Sequence, residues 1–213
     1  MILDNWGIVD YAEALQRQEM FFNEAIEAKR KGYPFENRLV LCEHPDVYTL
    51  GKSGHAENLL FNPNHVPLIR TNRGGDITYH GKGQIVGYPI FDLESLHLGL
   101  KFYIYNVEKA IILVLAKYGI TAMRLNGAAG VWLDSDNPAR CRKIAAIGVR
   151  CSRFVTMHGF ALNVNTDLNY FKNINPCGFT DKGVTSMQHE LSREISIFEV
   201  QQELFACFLS VFE

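Results

Sequence analysis

The 213-residue chain carries no surplus of basic charge: 21 Lys and Arg stand against 23 Asp and Glu, for a formal net charge of -2. A nucleic-acid binder would show a basic stripe, so that class is set aside. A local basic patch that docks an acidic protein stays open. No disulfide framework is present either. Cys42, Cys141, Cys151, Cys177 and Cys207 form an odd, scattered set, which points to a reducing compartment. The longest apolar run, Ile111 to Ala116, falls far short of the ~20 residues that a membrane span needs. Met1 to Gly7 shows neither a basic stretch followed by an apolar one nor Arg/Ser-rich transit character, so a cytoplasmic protein with no membrane partner is expected. Repeats, low-complexity stretches and linkers are missing too, and residues 1–213 are expected to form a single domain.

What is there is ordinary globular usage, 47% hydrophobic and 21% charged residues, and enough chain to bury a large core. Asp10-x-x-Glu13 reads as a capping box opening a helix to about Lys31, with Gly32 as its stop. Tyr11, Leu15, Phe22 and Ile26 share one helical face. Strands are expected over residues 38–43, 47–50, 67–71 and 85–92, a long helix over 101–118, and short strands over 121–125, 130–133, 144–150 and 156–165. Ser196-x-x-Glu199 opens a C-terminal helix reaching about Phe212. Strands that follow one another without strict helical alternation argue against a doubly wound parallel sheet. An α+β fold with a mixed, mainly antiparallel sheet covered by helices is expected.

Three pieces carry chemistry. The first is Arg73-Gly74-Gly75-Asp76-Ile77-Thr78-Tyr79-His80-Gly81-Lys82-Gly83-Gln84. Its glycines permit sharp turns and close approach to a ligand. It lacks the Lys-Ser/Thr ending of a P-loop and leads into a strand rather than a helix, so it is no nucleotide-phosphate motif. A polar hairpin loop and a ligand cradle both fit its spacing.

The second piece is Cys177, set between Pro176 and Gly178 in a polar stretch, and the third is Lys143, which opens the small apolar run Ile144 to Gly148. A thiol titrating near ~8.5 becomes a nucleophile only when its proton is removed, and a nearby ammonium favours the thiolate. The pair would divide nucleophile and proton relay between them, provided the fold joins two positions so far apart. A small buried hydrophobe and a solvated lysine are the plainer alternatives. The other four cysteines are assigned to packing or surface.

The seven histidines are dispersed. Cys42-x-His44 is the only close Cys/His pair, and no second pair at zinc spacing accompanies it, so no metal is expected. His158 reads as a core histidine or as a partner of His80 in one pocket. A serine nucleophile elbow is absent.

Taken together, Arg73 to Gln84, Tyr88-Pro89-Ile90-Phe91-Asp92-Leu93, Gly130-Val131-Trp132, Lys143 to Gly148, His158-Gly159-Phe160-Ala161-Leu162-Asn163 and Asn175 to Gly178 closely resemble the lipoyl(octanoyl) transferase family of lipoate biosynthesis. Glu43-His44-Pro45 and Val47 to Gly51 match as well, and the resemblance covers most of the chain in order. It implies a biotin/lipoate-ligase-like fold without an ATP site and with no cofactor. It implies transfer of an octanoyl group from acyl carrier protein to a lysine of lipoyl domains, those of 2-oxoacid dehydrogenase complexes and the glycine cleavage H protein, by a monomer. Cys177 would carry the acyl thioester, and Lys143 would lower its pKa and shuttle protons. The pocket would comprise Arg73, Gly74, Gly75, Asp76, Ile77, Thr78, Tyr79, His80, Ala146, Ile147, Gly148, His158, Gly159, Phe160 and Ala161.

Lys82 departs from the family's usual proline between two glycines. That bears on the shape of the turn and adds a charge suited to an acidic carrier. Amide formation from a thioester runs downhill, so no nucleotide is required; backbone N–H groups near Cys177 or the Gly74-Gly75 turn are candidate oxyanion donors. An ATP-dependent lipoate or biotin ligase, a silent carrier-protein binder and a cysteine hydrolase are the competing readings.

Overall fold

The computed structural model describes residues 1–62, 65–175 and 182–213. Strands β1 (Ile2–Ile8), β2 (Arg38–Glu43), β3 (Val47–Leu50), β4 (Leu68–Arg70), β5 (Ile77–His80), β6 (Gln84–Ile90), β7 (Met123–Leu125), β8 (Ala128–Leu133), β9 (Arg142–Ser152), β10 (Val155–Asn163) and β11 (Gly183–Val184) alternate irregularly with helices α1 (Tyr11–Arg30), α2 (Leu100–Lys117), α3 (Met187–Leu191) and α4 (Ile197–Phe212). The main sheet has eight strands in the order β1-β2-β6-β10-β9-β8-β7, with β11 beside β9. Its β1–β2 and β11–β9 pairs are parallel and the rest antiparallel. A second sheet, β4-β3-β5, stands apart from it. The expected mixed, mainly antiparallel α+β architecture is the one observed.

Local sequence explains the ends of the helices. The Asp10 side chain accepts hydrogen bonds from the amides of Ala12 (2.8 Å) and Glu13 (3.4 Å), and that of Ser196 from the amide of Glu199 (3.3 Å). Each satisfies N–H groups that the first turn leaves without helical partners. Strand alternation then divides the residues between two faces. Leu39, Leu41, Ile85, Phe160 and Leu162 pack with Val107, Ile111 and Val114 of α2 and with Val200, Leu204 and Phe208 of α4 in the largest core cluster. Val40, Cys42, Val86, Tyr88 and Ala161 point the other way and meet Ala14 of α1.

Two features depart from the sequence expectation. Ile77–His80 forms β5, pairing antiparallel with β3, whereas the reading above leaves it inside a glycine-rich loop. The short β-branched and aromatic run is masked by its flanking glycines. β9 is also longer than expected, and it joins β10 through a two-residue turn, Arg153-Phe154, with φ of 51° and 63°. Such turns favour Asn-Gly, so this hairpin has no turn signature in the sequence. Among the described residues, no helix is long and apolar enough to cross a membrane.

Candidate active site

A cavity of about 970 Å³, its open mouth included, lies on the α1 side of the main sheet. Its walls come from β9 (Lys143, Ala146, Ile147, Gly148), β10 (His158, Gly159, Phe160, Ala161, Asn163) and β6 (Gln84, Val86, Tyr88). The segment from Arg73 through β5 closes one side with Arg73, Gly75, Asp76, Ile77, Thr78 and His80; Tyr11, Ala129, Trp132, Phe171 and Lys182 to Val184 complete the lining. The small residues at 146, 148, 159 and 161 leave the middle of the sheet bare of long side chains, and the space above it is the cavity.

The glycine-rich segment reaches this wall because its own backbone and arginine hold it. Arg73 donates through Nη2 to the Thr49 carbonyl (2.7 Å), the Thr49 hydroxyl (3.0 Å) and the Asp76 carbonyl (2.7 Å). The Gly74 amide donates to the Val149 carbonyl on β9 at 2.9 Å, which commits one of the candidate oxyanion donors. Gly75 has φ of 83°, a conformation open to glycine at no steric cost. At Gly148 a Cβ would lie 2.9 Å from the Gly74 carbonyl oxygen, so loop and strand touch backbone to backbone.

Beneath the cavity runs a hydrogen-bonded relay of one direction. The Thr49 hydroxyl accepts from Arg73 and meets His80 Nε2 at 3.3 Å; His80 Nδ1 donates to Gln84 Oε1 (2.8 Å); Gln84 Nε2 donates to Asn163 Oδ1 (2.8 Å); Asn163 Nδ2 donates to the Thr185 carbonyl (3.0 Å). Because Gln84 spends its amide protons on Tyr79 and Asn163, His80 carries its proton on Nδ1 and accepts from Thr49. Chains of this kind are strong when every member is satisfied. The Thr185 amide in turn donates to the Lys143 carbonyl at 2.9 Å, so the relay ties the glycine-rich segment to the strand that bears Lys143.

The histidines are held neutral. Burial, then the neighbouring His44, pushes the His80 pKa down to about 3. Burial and then Arg73 and Arg150 push His158 down to about 3. His44 is lowered by burial as well. His158 adopts φ of 57° within β10, a left-handed conformation costly for a residue with a Cβ, and its Nε2 meets Asn72 Oδ1 at 2.7 Å. Burial raises the Tyr11 phenol to about 12. It also lifts the Cys42 thiol well above its ordinary range, which makes Cys42 inert as a nucleophile.

Lys143 stands at the start of β9 with Nζ 4.6 Å from the ring centroid of Trp132, its partner on β8. The half-buried cation over an aromatic face holds the side chain at the cavity wall. Of the sequence-derived pocket residues, thirteen line the cavity, while Gly74 and Tyr79 stand behind it. Tyr79 points away because β5 alternates: its hydroxyl donates to Asp46 (2.7 Å) and its ring stacks on Tyr170 at 4.5 Å. Cys177 lies outside the described residues. Val86, Phe171 and Lys182 to Val184 were not singled out by sequence, and Tyr11 stood out only as part of a helix face; Tyr88, Trp132 and Asn163 were visible only as members of longer motifs.

A profile of the lipoyl protein ligase A/B catalytic domain matches residues 10–209. The chain belongs to this family. Within it, an octanoyltransferase of Bacteroides thetaiotaomicron is 55% identical over 208 residues, covering 95% of this chain and 91% of that one. An octanoyltransferase of Parabacteroides distasonis is 52% identical over 211 residues, 97% of this chain and 96% of that one. Such likeness makes this lipoyl ligase A/B family member an enzyme of the acyltransferase class. Among solved structures, a bipartite lipoate protein ligase of Thermoplasma acidophilum superposes with a TM-score of 0.71 at 18% identity, over 99% of this chain and 82% of that one. Biotin protein ligase of Aquifex aeolicus gives 0.54 at 9% identity, over 99% and 68%. At these identities the two ligases attest the fold alone.

Proposed function

We propose that this enzyme moves an octanoyl group from octanoyl-acyl carrier protein to the lysine of a lipoyl domain through a thioester on Cys177. The observation that carries the reading is the cavity itself: an apolar slot over small residues, with the Lys143 ammonium at one end. Lys182, five positions after Cys177 in sequence (182 − 177), lines the same cavity.

In the first half-reaction the Cys177 thiolate attacks the carbonyl of the donor thioester. The S–C bond to the carrier breaks, and the carrier thiolate leaves with a proton taken from the Lys143 ammonium, which becomes a neutral amine. The Lys143 ammonium favours the attacking thiolate by Coulomb attraction in a site of low dielectric. In the second, the acceptor lysine gives one proton to the neutral Lys143 amine, its own amine attacks the Cys177 thioester, and the Cys177 thiolate departs; the second proton, shed from nitrogen as the amide forms, passes to solvent, and the thiolate and the Lys143 ammonium are restored. The neutral histidines place no competing cation along the acyl chain. Of the Gly74-Gly75 turn, the Gly74 amide is spent on Val149, which directs attention to amides near Cys177 for stabilising the oxyanion.

Intact-protein mass after mixing with octanoyl-acyl carrier protein tests the reading, beside a Cys177→Ala control. An octanoyl-sized adduct on the parent, absent from the control and discharged by apo lipoyl domain, is expected. No adduct, with lipoyl-domain octanoylation appearing only on addition of free octanoate and ATP, would instead identify an ATP-dependent ligase.

A further inference from the structure

The strand register orders the lining of the cavity. Counting along the register, Gly148 pairs with Gly159, and Tyr88 lies one step beyond the Phe160–Gly87 pair, so Tyr88, Gly159 and Gly148 share one row across β6, β10 and β9. Lys143 lies five residues away along β9. With ~3.4 Å per residue along β9 and two strand spacings of ~4.8 Å across β10 to β6, the backbone diagonal from Lys143 to Tyr88 is roughly 20 Å. Lys143 and Tyr88, at the two ends of this diagonal, both line the cavity. An extended eight-carbon chain built of C–C bonds of ~1.5 Å spans about 9 Å, short enough to lie within that diagonal.

Tyr88 is built as a rigid stop. His44 Nδ1 donates to the Val9 carbonyl at 2.7 Å, which leaves Nε2 as an acceptor, and the Tyr88 hydroxyl donates to it at 2.6 Å. Behind the ring are Val9, Ala14, Val40 and Cys42, with Trp6 at 6.4 Å between ring centroids. Tyr11 braces the same corner, edge-on to His44 at 5.2 Å and stacked on His80 at 5.7 Å. Between Lys143 and this corner β9 and β10 present the small residues Ala146, Gly148, Gly159 and Ala161, with Val86 of β6 beside Ala161.

We infer that Tyr88, locked by His44 and braced by Tyr11, is the specificity-determining residue that limits the length of the transferred acyl chain. This rests on the acyl-transfer reading above. A methyl terminus that meets the ring face gains contact, whereas each further methylene must displace a hydrogen-bonded ring or fold back on itself.

The test compares kcat/KM for carrier protein loaded with saturated chains of 6, 8, 10, 12 and 14 carbons, using apo lipoyl domain as acceptor. In Tyr88→Ala the ratio of 12-carbon to 8-carbon transfer should rise at least tenfold, because each newly buried methylene is worth ~4-fold. Tyr88→Phe keeps the ring but not its anchor, and should retain the 8-carbon optimum while accepting 10 carbons more readily. Ala161→Leu, which places bulk midway along the slot, should shift the optimum toward 6 carbons; it decides the matter if Tyr88→Ala does not fold. A uniform loss across all lengths in these variants would assign Tyr88 a merely structural role and overturn the inference. If the parent transfers no chain of any length, the acyl-transfer reading itself fails, and the inference with it.

Discussion

The two faces of the main sheet come from the same strands, yet they do opposite work. The face under α2 and α4 is dry and large-limbed, with Leu39, Leu41, Ile85, Phe160 and Leu162 packed on helix residues. The face toward α1 carries small residues and a buried set of hydrogen-bonded polar groups: His44, His80, His158, Gln18, Gln84 and Asn163 are each almost wholly buried. One face lowers the free energy of the folded chain by removing apolar surface from water. The other forgoes part of that gain to keep a cavity open and its walls fixed. Burial alone therefore does not distinguish core from site in this protein; what distinguishes them is whether the buried groups are apolar or paired polar.

The contrast can be broken most severely at Lys143. Lys143→Met should lower octanoyl transfer by about 10²–10⁴-fold, the usual worth of a positioned proton relay, with little change in urea midpoint, as stopped assays and denaturation together would report. Leu204→Ala, on the dry face of α4, should do the reverse. It should cost ~2–5 kcal/mol of stability and leave kcat per folded molecule and the chain-length profile intact.

Acid sharpens the comparison further. His80 and His158 have folded pKa values near 3, below the ~6.5 of an unfolded histidine. Between those limits the unfolded chain binds more protons, so stability is full above about pH 6.5 and is lost as pH falls toward 3. Urea midpoints measured across that range should slope downward, and His80→Gln should flatten the slope although its own midpoint is lower. The apolar face contributes no such dependence.

The smallest effect is expected at Lys82, exposed in the turn between β5 and β6. Lys82→Ala should raise KM for the carrier-bound donor a few-fold and leave KM for a small octanoyl thioester unchanged. Equal effects on both donors would remove Lys82 from carrier recognition.

Much of this was legible along the chain. The capping residues Asp10 and Ser196 start their helices where side-chain chemistry says they must, and apolar periodicity gave α1, α2 and α4 to within a residue or two. Local signals failed where geometry is imposed from outside. β5 was hidden by its flanking glycines, and the Arg153-Phe154 turn has none of the residues that its dihedrals favour. Tyr79 shows the limit within a motif: it sits between Thr78 and His80, which line the cavity, but strand alternation turns it toward Asp46 and Tyr170.

By itself, the sequence determined the fold class, the family and the residue types that chemistry demands, because periodicity, caps and motif order are local and survive in a string of letters. Tertiary structure alone decided that Arg73, Thr49, His80, Gln84, Asn163 and Thr185 join in one relay, that Tyr88 and His44 lock each other, and that Lys143 rests over Trp132. Those partners are separated by up to 79 positions within a single hydrogen bond, Gln84 to Asn163. Only the register of strands, set by which face each residue must bury, brings them into contact.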